Sequence, residues 1–240
     1  MHHINRVEFI ITYACTGHCK HCSVSGAKNT NEHIHYTRLA GMLTQLKSKL
    51  PVESVMCFGG EPLLYPKEVF AILQEAKAAG IPARQLITNG FFSHNKSQII
   101  TIAQQLNQYV TDIMLSVDAF HQETIPLEPV QLFTKHSKNL KLHPAWLVSA
   151  EDDNEWNLRT REILAQFDGL PVSDGNVVFP RGNALKYFAN YFPQEPPGAS
   201  PYDNLPSLSI LPNGDVMLNQ KVLGNAYCDD ILEALCTPLN

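Results

Sequence analysis

Three cysteines in the stretch CTGHCKHC, Cys15, Cys19 and Cys22, put three thiols on one short loop. Thiolate sulfur selects zinc or iron–sulfur centres, and three such ligands without an obvious fourth suit a metal site that keeps one position open for chemistry. Zinc would need His18 or His21 as a further ligand. Structural zinc usually draws on two separated C-x2-C pairs, and this chain has one, Cys19 and Cys22. The other cysteines, Cys57, Cys228 and Cys236, are scattered, which is not the pattern of a disulfide framework. Cys57, within VMCFGG, reads as a small buried hydrophobe, and Cys228 and Cys236 read the same way. Reduced thiols fit metal ligation in a reducing compartment, and the cytosol is the expected location.

Further residues able to do chemistry stand in short motifs. Gly59-Gly60-Glu61-Pro62, Thr88-Asn89-Gly90 and Ser116-Val117-Asp118 each follow or close an apolar run. Each has a plain structural explanation when taken singly. Gly-Gly-x-Pro opens a turn into a helix, Asn-Gly is a turn, and Asp118 caps the next helix. His121 stands at a helix start, near the same rim. Arg181, in FPRGNA, has the guanidinium that binds carboxylate or phosphate in two places, although an exposed surface arginine is the default.

The elements that must position these residues alternate. Strands are expected at Val7–Thr12, Ser54–Phe58, Gln85–Thr88, Asp112–Val117, Lys141–Val148 and Asn176–Phe179, with helices at Tyr36–Lys49, Pro66–Ala79, Lys96–Gln108 and Asn154–Gln166. Such alternation marks βαβ units and a parallel sheet. Six strands fall short of the eight of a closed barrel. The fold class is therefore α/β, a partial (β/α)6 barrel over residues 1–180 with a small C-terminal cap over 181–240. Loops leaving the carboxyl ends of parallel strands form the active face, so the cysteine loop and the three motifs converge on one rim. Gly80 and Pro82 stop the helix that ends at Ala79. Pro193–Pro206 reads as a proline-rich linker or ordered loop, and Asn213-Gly214 as the turn of a hairpin between Leu208–Leu211 and Val216–Leu218. Tyr187, Phe188, Tyr191 and Phe192 have the spacing of a helix that packs into a core.

With CTGHCKHC, FGGEPLLY, LITNG and SVDAF in this order after successive strands, the chain resembles the radical SAM superfamily from Val7 to about Phe179. The resemblance implies a [4Fe–4S] cluster on Cys15, Cys19 and Cys22, whose fourth ligand is the methionine part of S-adenosylmethionine (SAM). It implies reductive cleavage of SAM to a 5′-deoxyadenosyl radical that abstracts a substrate hydrogen. Gly59, Gly60 and Glu61 would then satisfy the ammonium of SAM, and Asn89, Ser116 and Asp118 its ribose or carboxylate. His21 stands where the family usually has a large aromatic against adenine. The tail LSILPNGDVMLNQKVLGNAYCDDILEAL is similar to the start of a SPASM or twitch-type extension, but Asn219 replaces its first cysteine, so a single cluster is expected.

The N-terminal MHHINRVEFIIT has only a brief apolar run interrupted by a charge, and reads as a strand, not a signal peptide or membrane span. A net charge of -5, from 18 basic and 23 acidic residues, gives no basic footprint for nucleic acid. The expected partners are a one-electron donor such as flavodoxin or ferredoxin and a peptide, protein or small-molecule substrate. The competing class is a non-catalytic iron–sulfur or zinc protein for electron transfer or assembly, which would leave the GGEP and TNG loops unexplained.

Overall fold

A computed structural model of the chain describes residues 4–24, 30–192, 207–219 and 221–236. β1 (Arg6–Ile10), β2 (Ser54–Phe58), β3 (Ala83–Thr88), β4 (Asp112–Leu115) and β5 (Leu140–Leu142) pair in parallel and in that order. α1 (Met42–Lys49), α2 (Pro66–Ala78), α3 (Lys96–Leu106) and α4 (Leu127–His136) make the crossovers. Their apolar stripes explain why they pack on the sheet: α2 buries Val69, Ile72, Leu73 and Ala76, and α3 buries Ile99, Ile102, Ala103 and Leu106. Asn95 starts α3 by accepting hydrogen bonds from the Ser97 and Gln98 amides. Gly80, at φ 71°, ends α2, and the Ile81 amide reaches back to the Ala76 carbonyl at 2.9 Å.

Several boundaries differ from the sequence reading for identifiable reasons. The expected helix over Tyr36–Lys49 is interrupted at Gly41, at φ 86°, leaving a 3-10 turn at Tyr36–Arg38 before α1. The expected fifth strand divides at Pro144, which lacks the amide a central strand needs, into β5 and β6 (Ala145–Trp146). β6 pairs in parallel with β7 (Asn176–Val177), shorter than the sixth strand expected, and α5 (Glu155–Leu164) lies between them. Among the described residues the sheet does not close, in accord with a partial barrel.

The Asn213-Gly214 hairpin forms, but it extends the sheet instead of lying over the strand ends. β8 (Ser207–Ile210) pairs in parallel with β1, and β9 (Asp215–Leu218) and β10 (Lys221–Asn225) follow antiparallel. The proline-rich stretch at 193–206 lies outside the described residues. α6 (Asn183–Phe188) contributes Ala184 and Phe188 to a second, smaller core with Phe120, Ala145, Leu147 and Val178. Phe192 packs against it, while Tyr187 and Tyr191 are exposed, so half of that aromatic group is core. A last helix, α7, covers Ile231–Cys236. Cys57 is buried as expected, but Cys228 is exposed.

Candidate functional site

The loop after β1 carries Cys15, Cys19 and Cys22, and other segments hold it in place. The Thr16 hydroxyl donates to the Phe91 carbonyl at 2.6 Å, and the His18 amide donates to the Thr124 hydroxyl at 3.0 Å. Gly59 and Gly60, after β2, press backbone to backbone against this loop. The Gly60 amide donates to the Thr12 carbonyl at 2.7 Å and the Glu61 amide to the Ala14 carbonyl at 2.8 Å. A Cβ on either glycine would collide with the Thr12 or Ala14 carbonyl, and Gly59 has φ 147°. The two glycines are thus required by the fit between two loops of the chain, as well as facing the cavity.

Glu61 is fully buried and is not among the residues lining the cavity. Its carboxylate accepts hydrogen bonds from the Leu63 amide at 2.9 Å, the Thr88 hydroxyl at 2.8 Å and the Asn89 amide at 2.9 Å. It therefore ties the loop after β2 to the end of β3. Burial pushes its carboxyl up to about 7, against the three donors that hold it down. Asn89, 4% exposed, turns its side-chain amide towards the cysteine loop, 3.7 Å from the Cys15 sulfur and 3.2 Å from the Thr16 hydroxyl, while its carbonyl oxygen accepts from the Phe91 amide.

Asp118 is also fully buried. One carboxylate oxygen accepts from the His121 amide at 2.9 Å, and the other meets His121 Nδ1 at 2.8 Å and the Ala145 amide at 2.9 Å. Burial alone would push this carboxyl up, but the charge and hydrogen bonds of His121 bring it well below the usual carboxylate range. Asp118 thus caps the turn that follows it and also fixes the ring of His121. That ring stands edge-on to His21, with centroids 4.7 Å apart, and His21 leans on Phe120, which stacks on Trp156.

These residues surround one cavity of about 280 Å³. Cys15, Cys19, Cys22, His21, Gly59, Gly60, Asn89, Ser116 and Asp118 all line it, so of the residues singled out in the sequence for the site only Glu61 stands behind the wall. His121, expected at a helix start near the same rim, lines it as well. Arg181 is exposed and outside the lining. Tyr13, His143, Asn176, Val177, Val178 and Phe179 are among the other lining residues and were not anticipated as site residues. The last four make up the whole of the sixth strand expected from the sequence. Asn176 donates from its side chain to His143 Nε2 at 2.8 Å, and His143 Nδ1 meets the Ser173 hydroxyl at 2.8 Å. Among the described residues lining the cavity, none is lysine or arginine.

A family model for the radical SAM superfamily matches residues 9–142. The chain belongs to that superfamily. The probable GTP 3′,8-cyclase of Methanocaldococcus jannaschii is 28% identical over 95 residues, which are 40% of this chain and 32% of that protein. Among solved structures, SuiB of Streptococcus suis bound to its precursor peptide SuiA superposes with a TM-score of 0.58 at 13% identity, over 97% of this chain and 64% of that one. Native anSMEcpe with bound AdoMet gives a TM-score of 0.60 at 16% identity, over 97% of this chain and 80% of that one. The chain spans about a third of the cyclase and just under two thirds of SuiB. At these identities the structural likeness concerns the fold.

Members of this superfamily are enzymes whose cofactors are a [4Fe–4S] cluster and SAM. The donor set here fits that pair, since Cys15, Cys19 and Cys22 line one cavity together with Gly59, Gly60, Asn89 and Ser116. No helix among the described residues is long and apolar enough to cross a membrane.

Proposed function

We propose that the chain is a single-cluster radical SAM enzyme whose substrate is a peptide or protein. The observation that supports this best is the meeting of Cys15, Cys19 and Cys22 with the loops after β2, β3 and β4 on one cavity. Cys15, Cys19 and Cys22 would hold the cluster, and the residues 1–180 would form the catalytic core. When bound, the cluster and SAM would supply radical chemistry, a one-electron reductive cleavage of SAM that allows a hydrogen atom to be taken from an unactivated carbon. The protein's part is to bind, orient and shield. The Gly59 and Gly60 carbonyls would accept the ammonium of SAM, and buried Glu61 would add negative charge behind them. Asn89 and Ser116 would receive its ribose or carboxylate, His21 its adenine, and Asp118 would act on the same rim through His121.

Two observations favour a peptide over a nucleotide. Among the described residues, the walls offer no lysine or arginine to a triphosphate, the group named in the cyclase relative's substrate. SuiB, which shares the fold, was solved with a precursor peptide. Electrons would come from a donor such as flavodoxin or ferredoxin in a reducing cytosol. The test is anaerobic: reconstituted protein receives dithionite and SAM, and 5′-deoxyadenosine is measured. Its formation, with a change in the cluster spectrum on adding SAM, is expected. Absence of both would favour a non-catalytic iron–sulfur protein.

A further inference from the structure

Within residues 15–22 the Cys22 amide donates to the Cys19 carbonyl at 3.3 Å and the Gly17 amide to the Cys15 sulfur at 3.4 Å. From outside, the loop is held at Thr16 by the chain after β3, and at His18 and Lys20 by Thr124 and Glu123 after β4. A further hold comes from beyond the barrel. The Asn183 amide donates to the Cys22 carbonyl at 2.9 Å, and its side-chain Nδ2 donates to the Cys19 carbonyl at 3.2 Å. One residue thus hydrogen-bonds the backbone of two of the three cysteines. Gly182, just before it, has φ 58°, and a Cβ there would lie 2.7 Å from the Cys22 carbonyl oxygen. At the far end of α6, Phe188 packs on Trp156 and Phe120, the ring behind His21.

We propose that Gly182 and Asn183 form a latch that fixes the carboxyl half of the cysteine loop, so that the chain beyond the sixth strand sets how firmly the metal centre is held and how it meets SAM. This rests on the reading of Cys15, Cys19 and Cys22 as cluster ligands. Gly182 and Asn183 are positioning residues in this scheme. Asn183 supplies two donors at a spacing that matches two carbonyls three residues apart, and Gly182 lets the backbone approach closely enough for both. A side chain at 182 would force the segment away from the loop. Replacement of the Asn183 amide by an apolar side chain of the same shape removes one donor and leaves the backbone bond.

The test uses the full chain with its cluster reconstituted anaerobically. Iron release to a chelator is followed by absorbance, the reduced cluster is examined by EPR with and without SAM, and the melting temperature of the metal-free protein is recorded. Asn183→Leu is expected to release iron about fivefold faster, as fits the loss of one hydrogen bond, with an altered EPR signal on adding SAM and an unchanged metal-free melting temperature. Asn183→Asp, which turns an acceptor towards the Cys19 carbonyl, should release faster still. Gly182→Ala should be the most severe, and if it fails to fold the two Asn183 variants carry the test. Variants that keep wild-type release rates and EPR signals overturn the latch. A wild type that assembles no cluster instead overturns the ligand assignment beneath it.

Discussion

Glu61→Gln separates a carboxylate that braces two loops from one that simply sits near a ligand. Glu61 is completely buried, and its carboxyl rises from an ordinary 4.5 to about 7. Since the folded chain holds this proton more tightly than the unfolded one, the group's contribution to stability is fully present below about 4.5 and is lost as pH rises through about 7. A rise of that size is worth roughly 3 kcal/mol in all, most of which falls between pH 5 and pH 8. Asp118, the other fully buried carboxylate of the site, shifts downward and so stays ionised throughout that range. The Glu61 effect is therefore separable from it. The assay is thermal unfolding of wild type and Glu61→Gln at pH 5, 6, 7 and 8. Glutamine cannot titrate, so the wild type should lose stability relative to the variant by roughly 2–3 kcal/mol over the series, or about 5–10 °C in melting temperature for a chain of this size. A constant difference across the series would refute this. It would mean that the donors from Leu63, Thr88 and Asn89 outweigh burial and keep the carboxylate ionised even at pH 5.

Three further outcomes are expected. Cys19→Ala should abolish cluster binding and SAM cleavage together, measured as iron content and 5′-deoxyadenosine, and surviving cleavage would sink the ligand assignment. Iron and sulfide analysis should give about four irons per chain, where a second cluster would bring the figure to about eight. Asp118→Asn should destabilise the chain by roughly 3 kcal/mol in denaturant titrations, because it removes the buried charge and puts a donor where one of its two acceptor oxygens was, and a loss under 1 kcal/mol would argue against the dyad with His121.

Much of this was legible in the chain because two kinds of signal coincide. The order of strands and helices identifies the rim, and short motifs mark the loops that reach it. What escaped did so for physical reasons. α4, from Leu127, was not among the expected helices, although the first turn of a helix tolerates prolines such as those at 126 and 129. The hairpin around Gly214 is local and readable, but its parallel pairing with β1 joins residues about 200 apart and has no local trace. Asn183 was invisible because it serves the site by donating to backbone carbonyls, a role that no residue pattern encodes. Glu61 was assigned to the ligand from its motif, while the structure commits both its oxygens to the protein.

The charges of the site bear on its substrate more than its shape does. Two fully buried carboxylates, Glu61 behind the glycine loop and Asp118 on the rim, stand at a cavity whose described walls carry no lysine or arginine. Such a cavity attracts a cation such as a sulfonium and repels an anion, since charges interact strongly where water is excluded. A substrate bearing phosphates would call for compensating cations, and the described lining instead includes His143, Asn176, Val177 and Phe179. Burial pushes His143 down, towards its uncharged form. The exposed side chains of Val177 and Phe179 give the cavity apolar surface, and Asn176 adds a neutral hydrogen-bonding group. Under the proposed function, that lining would suit an uncharged stretch of peptide and would offer a nucleoside triphosphate no counter-charge.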